Sequence, residues 1–274
     1  MTYPQPAPQE TADENRIPLH GPEDFEGMRK AGRLAAALLD HIVPMIVPGA
    51  VTNEIDVEIE RYMREHGAIP ATLGYKGYPK SSCISINHVV CHGIPGAKRL
   101  MDGDIVNIDV TPILDGWYGD TSRMYEVGSR VPLRAKKLIE VTYEAMMRGI
   151  EAVKPGATLG DVGHAIQAHA EKNRFSVVRD FCGHGLGRVF HAPPSVLHYG
   201  RPGTGPELKT GMFFTVEPMI NAGRYEVKIL DDGWTAVTRD RSLSAQFEHS
   251  VGVTETGVEI FTLSPAGHTK PPYA

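Results

Sequence analysis

The stretch GDIVNIDVTPI, residues 103–113, decides the fold because a partner for it stands further along the chain. GMFFTVEPMI begins at Gly211, 108 residues after Gly103, and both runs place an acid six residues after the glycine: Asp109 and Glu217. Both are rich in β-branched or aromatic residues and bounded by turn formers, which predicts strands. On a strand with one buried face, Ile105 and Asn107 share the side of Asp109, and Phe213 and Thr215 share the side of Glu217.

The parallel extends outward. Pro48-Gly49 recurs as Pro155-Gly156, 107 residues on. Each pair follows an apolar stripe at helical spacing: Met28, Ala31, Ala35, Leu38 and Ile42 in the first case, Ile139, Tyr143, Met146, Ile150 and Val153 in the second. Each leads into a further amphipathic stretch, Ile55 to Tyr62 and Val162 to His169, the latter opened by a capping-box pair, Thr158 and Asp161. The tripeptide DGW appears twice, at 115–117 and 232–234. Two nearly equal offsets with matching acids predict an internal duplication, two similar α/β halves packed as one domain around shared carboxylates.

Composition narrows the function classes. The 274 residues carry a net charge of −5, with no basic run, which argues against a surface that coats nucleic acid. Three cysteines without C-x-x-C spacing suit a reducing compartment, so the cytoplasm is expected. No apolar run reaches membrane-spanning length, so no membrane partner is expected. The Pro-rich start, with Pro4, Pro6 and Pro8, reads as an extension over residues 1–22, mobile or draped on the surface, and residues 264–274 as a similar tail.

Four acids stand in or beside apolar or turn-rich runs: Asp109, Asp120, Glu217 and Glu248. Taken singly, each reads best as a solvated or salt-bridged group. Taken together with the glycine-flanked His184 of CGHGLGRVFH (182–191), they suggest a cluster that divalent cations would relieve. Rival readings of that loop fit less well. No helix can follow it, so it is not a phosphate loop, and neither H-E-x-x-H nor G-x-S-x-G is present. The adjacent Cys91 and His92 carry little weight as a thiol-nucleophile pair.

VVCHGIP (89–95), IDVTPILDGWYGDT (108–121), GHGLGRVFH (183–191), FTVEPM (214–219) and AQFEH (245–249) together resemble the motifs of the type I methionine aminopeptidases, in order and spacing. The resemblance implies an α+β pita-bread (creatinase/aminopeptidase) fold over residues 23–263, two pseudo-symmetric halves around a dinuclear metal centre. It implies Asp109, Asp120, His184, Glu217 and Glu248 as ligands of two divalent ions (Mn, Fe, Co or Zn), and Glu217, His92 and His191 as catalytic groups. Tyr75, Tyr78, Cys83, Phe190, Trp234 and Thr72 would form the methionine pocket with His92 and His191; Thr72 stands where many bacterial members have cysteine. Asn87, Val89 and Ser244 match positions that hold a monovalent cation through backbone carbonyls. The implied activity is removal of the initiator methionine from nascent polypeptides with a small second residue, by a monomer that meets its substrates at the ribosome. Two readings compete: an X-Pro aminopeptidase or prolidase of the same fold, and a non-catalytic binding protein of that fold. The intact ligand set speaks against the last.

Overall fold

Both Pro-Gly pairs form the turns that the duplication requires. Gly49 (φ 93°) and Gly156 (φ 82°) occupy the left-handed region, where a β-carbon is strained, and each turn separates two helices. The computed structural model describes residues 16–273. The helices are α1 (Pro22–His41), α2 (Thr52–Glu65), α3 (Leu133–Glu151) and α4 (Leu159–Lys172). The stripe Met28, Ala31, Ala35 and Leu38 is fully buried on α1, and Ile139, Met146 and Ile150 are buried on α3. The capping box at α4 forms as its sequence predicts: Thr158 N–H donates to Asp161 Oδ2 at 2.8 Å, and Asp161 N–H donates to Thr158 Oγ1 at 3.3 Å.

The strands repeat the same plan. In the first half, Ile105–Val110 lies between Cys83–Ile86 and Thr121–Glu126, antiparallel to both. In the second half, Phe213–Val216 lies between Gly183–Gly185 and His249–Val253, again antiparallel to both. The two glycines that head the repeats close the same pair of hydrogen bonds. Gly103 N–H donates to Val127 O and Val127 N–H to Asp104 O, at 2.8 and 2.9 Å; Gly211 N–H donates to Val253 O and Val253 N–H to Met212 O, both at 2.9 Å. The duplication read from spacing is therefore a repeated backbone geometry.

The strand Ile105–Val110 departs from a one-sided pattern. Val106, Ile108 and Val110 pack with α1 and α2, while Ile105 joins the core under α3 and α4. The face carrying Asp109 thus looks toward the other half of the molecule, where Asn107 Nδ2 donates to Gln246 O at 2.9 Å. Both DGW tripeptides lie at hairpin turns. Asp115-Gly116 links Pro112–Leu114 to Trp117–Tyr118, and Asp232-Gly233 lies between Val227–Ile229 and Ala236–Thr238.

The proline triplet at 4–8 lies outside the described residues. At the edge of the described chain, the His20 ring stacks on Phe213 with centroids 4.2 Å apart. The C-terminal stretch is fastened down: Ser264 Oγ donates to Asp40 at 2.8 Å, and Tyr273 Oη donates to Met124 O at 2.7 Å. Among the described residues, no helix is long and apolar enough to cross a membrane.

Candidate metal centre

A cavity of about 680 Å³ opens between the halves, and all five carboxylate and imidazole candidates line it. Asp109 comes from the central strand of the first half, paired with Cys83 on one side and Ser122 on the other. Glu217 directly follows the central strand of the second half. Asp120, His184 and Glu248 each place a ligand atom so that the three lie within 4.8 Å of one another. His184 Nε2 stands 3.4 Å from Asp120 Oδ2 and 3.6 Å from Glu217 Oε1.

Neighbouring hydroxyls and an amide aim these groups. Thr111 Oγ1 donates to Asp120 Oδ1 at 2.8 Å, and Thr215 Oγ1 donates to Glu217 Oε1 at 2.7 Å. Gln246 Nε2 donates to Glu217 Oε2 at 3.3 Å. Across the seam between halves, Thr121 Oγ1 donates to Glu248 O at 2.7 Å, Ser250 Oγ to Asp120 O at 2.6 Å, and Glu248 N–H to Ser122 O at 3.1 Å.

Packing acids this closely is costly without a counter-charge. Burial, with Asp120 and Glu217 adding repulsion, holds Asp109 well above the usual carboxylate range; burial and the same neighbours raise Glu248 likewise. Burial pushes Glu217 up to about 7, against the opposing pull of His184 and Thr215. For His184, burial works against a charged ring, but Asp120 and Glu217 outweigh it and raise its pKa. The donor set fits a divalent cation. His184 Nδ1–H donates to Gly185 O at 3.1 Å, which turns Nε2 toward the two carboxylates. Without a cation, Nε2 must hold a proton to avoid facing them with a lone pair; a metal ion takes that proton's place. Four oxygen donors with one imidazole suit a hard or borderline ion.

The other predicted residues form the walls. His191 lies beside His184, ring centroids 4.1 Å apart, and over Tyr75 at 5.2 Å. Its ring faces the open cavity. Enclosure by the walls, then the neighbouring His184 and Lys76, hold its pKa down and the imidazole neutral. Burial does the same to His92, which meets Trp234 edge-on at 6.0 Å. Phe190 packs against Tyr75 at 5.0 Å, and Tyr78 against Trp234 at 5.1 Å. Cys83 and Thr72 are buried in the lining, and Thr72 Oγ1 has no hydrogen-bond partner among the described residues. Asn87 and Ser244 meet outside this wall, where Ser244 N–H donates to Asn87 O at 2.8 Å; Val89 starts the adjoining strand Val89–Cys91.

Sequence reasoning missed Tyr118, stacked on Phe190 at 5.5 Å, and Phe181, edge-on to His92 at 5.4 Å. Both stand within two residues of a recognised motif position, but single aromatics there read equally well as core. Thr111 and Gln246 also escaped notice, although they flank predicted ligands in GDIVNIDVTPI and AQFEH, and Thr215, placed by strand alternation on the side of Glu217, was given no role.

Comparison with known proteins agrees with this geometry. Residues 26–255 match metallopeptidase family M24. Methionine aminopeptidase of Rickettsia prowazekii is 62% identical over 258 residues, covering 94% of this chain and 99% of that protein. The Escherichia coli K12 methionine aminopeptidase is 54% identical over 249 residues, covering 90% of this chain and 94% of its own. The crystal structure of the Rickettsia enzyme superposes with a TM-score of 0.90 at 63% identity, covering 90% of this chain and all of that one. Prolidase from Pyrococcus furiosus shares the fold at a TM-score of 0.71 with 24% identity, and the match covers 89% of this chain and 65% of the prolidase. The pita-bread fold and the use of divalent metal follow from this membership. The chain belongs to metallopeptidase family M24.

Proposed function

We propose that the chain is a methionine aminopeptidase that removes the initiator methionine from polypeptides with a small second residue. The observation that carries this reading is the convergence of Asp109, Asp120, His184, Glu217 and Glu248 on one wall of a cavity whose other walls are aromatic. Its catalytic unit is residues 23–263, and its metals are two divalent ions, drawn from Mn, Fe, Co and Zn, held by those five side chains.

Bound divalent ions supply Lewis acidity and a nucleophile at neutral pH. The rest of the chemistry falls to the chain. Glu217 takes a proton from the nucleophile and hands it to the departing amine. His191, neutral, donates a hydrogen bond to the substrate carbonyl oxygen as negative charge develops there. His92 holds the amide or the amine that leaves. Tyr75, Tyr78, Cys83, Phe190 and Trp234, with Thr72 at the rim, enclose the thioether, for which sulfur–aromatic contact is favourable.

The substrate is a nascent chain, so the ribosome is the place of action. All five ligands come from one chain, so a monomer suffices. The three unpaired cysteines suit the cytoplasm. A monovalent cation on the carbonyls of Asn87, Val89 and Ser244 completes the assignment. Hydrolysis of Met-Ala-Ser and Ala-Pro with added Mn(II) or Co(II) tests the function. Release of methionine with Ala-Pro left intact supports it; cleavage of Ala-Pro with Met-Ala-Ser uncut means a prolidase-type enzyme instead.

A further inference from the structure

His198 is buried to 1% exposure, and its one hydrogen bond among the described residues goes to Glu217: the Glu217 backbone N–H donates to His198 Nε2 at 3.1 Å. The ring's Nδ1 is buried without a partner among those residues. A buried imidazole engaged by a single backbone donor has a specific task or a poor site.

The chain path explains why that donor is free. The ladder of the central strand ends at Val216, paired with His249, and the next ladder begins at Met219, paired with Gln246. Pro218 has no N–H. The Glu217 N–H therefore falls between two sheets and lacks a strand acceptor, although a buried backbone donor needs one. The first half does not have this problem. Asp109, at the repeated position, stays inside its ladder with Cys83 and Ser122 on either side. The duplication is thus broken at its acids: one is fixed by strands, the other by a side chain.

The segment carrying His198 is pressed into place by α4. A β-carbon at Gly163 would lie 2.5 Å from Tyr199 O and 2.7 Å from Leu197 O, so glycine lets the helix bear directly on the residues flanking His198. Leu197 remains 41% exposed while His198 turns inward. The ring is held by packing and not by chance rotation.

We propose that His198 is a positioning residue for Glu217: by accepting the Glu217 N–H where the chain crosses between sheets, it sets where the carboxylate enters the cavity. The inference rests on the role of Glu217 proposed above. His198 does not reach the substrate and acts only through the backbone of Glu217. Because that N–H donates to Nε2, the ring proton sits on Nδ1.

In the ¹⁵N-labelled, metal-free chain, a scalar coupling across the hydrogen bond should link the Glu217 amide nitrogen to His198 Nε2. His198→Phe keeps the ring but removes the acceptor; His198→Gln supplies a new one. Phe should lower kcat and Mn(II) affinity by about 10- to 100-fold, with KM within about twofold, and Gln should recover most of the loss. Absence of the coupling overturns the proposal, and decides alone should the Phe variant not fold. Folded Phe and Gln variants with lowered thermal midpoints but wild-type kcat and Mn(II) affinity also overturn it. Failure of the wild type to bind Mn(II) through Glu217 sinks the reading of the centre instead, while the coupling still reports on His198.

Discussion

Asp120 and Glu248 belong to opposite halves of the duplication, yet each has its backbone carbonyl held by a hydroxyl from the other half. Ser250 Oγ donates to Asp120 O at 2.6 Å, and Thr121 Oγ1 donates to Glu248 O at 2.7 Å. Thr121 directly follows Asp120 and Ser250 lies two residues after Glu248, so each donor sits beside one acid and holds the other, and the exchange ties the seam between halves to the proposed metal centre. Interface integrity and ligand geometry should respond to the same substitutions.

Removing one of these hydroxyls exposes the link. Ser250→Ala leaves the Asp120 carbonyl short of a donor in a fully buried site, at a cost of about 1–3 kcal/mol. Urea denaturation should show that loss in the metal-free chain, and calorimetry should show weaker Mn(II) binding. A variant that loses stability yet binds Mn(II) as tightly as wild type would separate the seam from the centre.

The acids make the metal-free fold sensitive to pH. Glu217 titrates near 7 in the fold against an ordinary value of 4.5, because it is buried. A carboxylate raised in this way adds stability that is complete below 4.5 and is lost as pH rises through 7. Asp109 and Glu248 act in the same direction. Buried neutral histidines have the opposite slope below pH 6.5, so the acid's effect is read as a difference. Without metal, Glu217→Gln should match wild type near pH 4.5 and exceed it by about 1–3 kcal/mol at pH 8. Saturating Mn(II) should reverse the order at pH 8. Equal stability of the two metal-free proteins at both pH values would contradict the burial argument.

Thr72 carries a different cost. Its hydroxyl is buried at the pocket rim without a partner among the described residues. Thr72→Cys exchanges it for a thiol that tolerates such a place, and the metal-free protein should gain about 1 kcal/mol of stability. Turnover of Met-Ala-Ser should stay within about threefold of wild type, since the reacting groups are untouched. A lower thermal midpoint for the variant would mean that the hydroxyl is engaged in solution.

The tasks proposed for the two histidines of GHGLGRVFH are separable by substitution. Glu217→Ala should abolish turnover. His191→Ala should lower kcat by about 10²–10³-fold, as expected for an oxyanion donor, while metal analysis finds both ions retained. His184→Ala should lose metal. Metal loss from the His191 variant would make that residue a ligand.

Much of this architecture was legible because turns and acids leave marks in sequence. Gly103 and Gly211 stand where a left-handed backbone is needed, so the repeat kept glycine at both and the spacing could be read. Asp109 and Glu217 interrupt apolar strands, which made them visible as acids with a purpose. Other features had no such signature. His198 is one histidine in a loop, and its importance arises only because Pro218 and a change of sheet leave a single N–H without an acceptor. Asn107 and Gln246, 139 residues apart, meet across the seam, and no local pattern joins them. Phe181 lies in the cavity wall, and Tyr118 stands behind it only through its stacking on Phe190, a contact that no local pattern announces.

The central claim is that five side chains of this chain form the metal centre and that His92 and His191 serve the substrate beside it. Anomalous diffraction from a crystal loaded with Mn(II) and bound to methionine tests this most directly. The account predicts metal density enclosed by Asp109, Asp120, His184, Glu217 and Glu248, with the methionine side chain against Tyr78 and Trp234 and with His191 outside coordination distance. Metal density centred on His191, or none within the cavity, would contradict it.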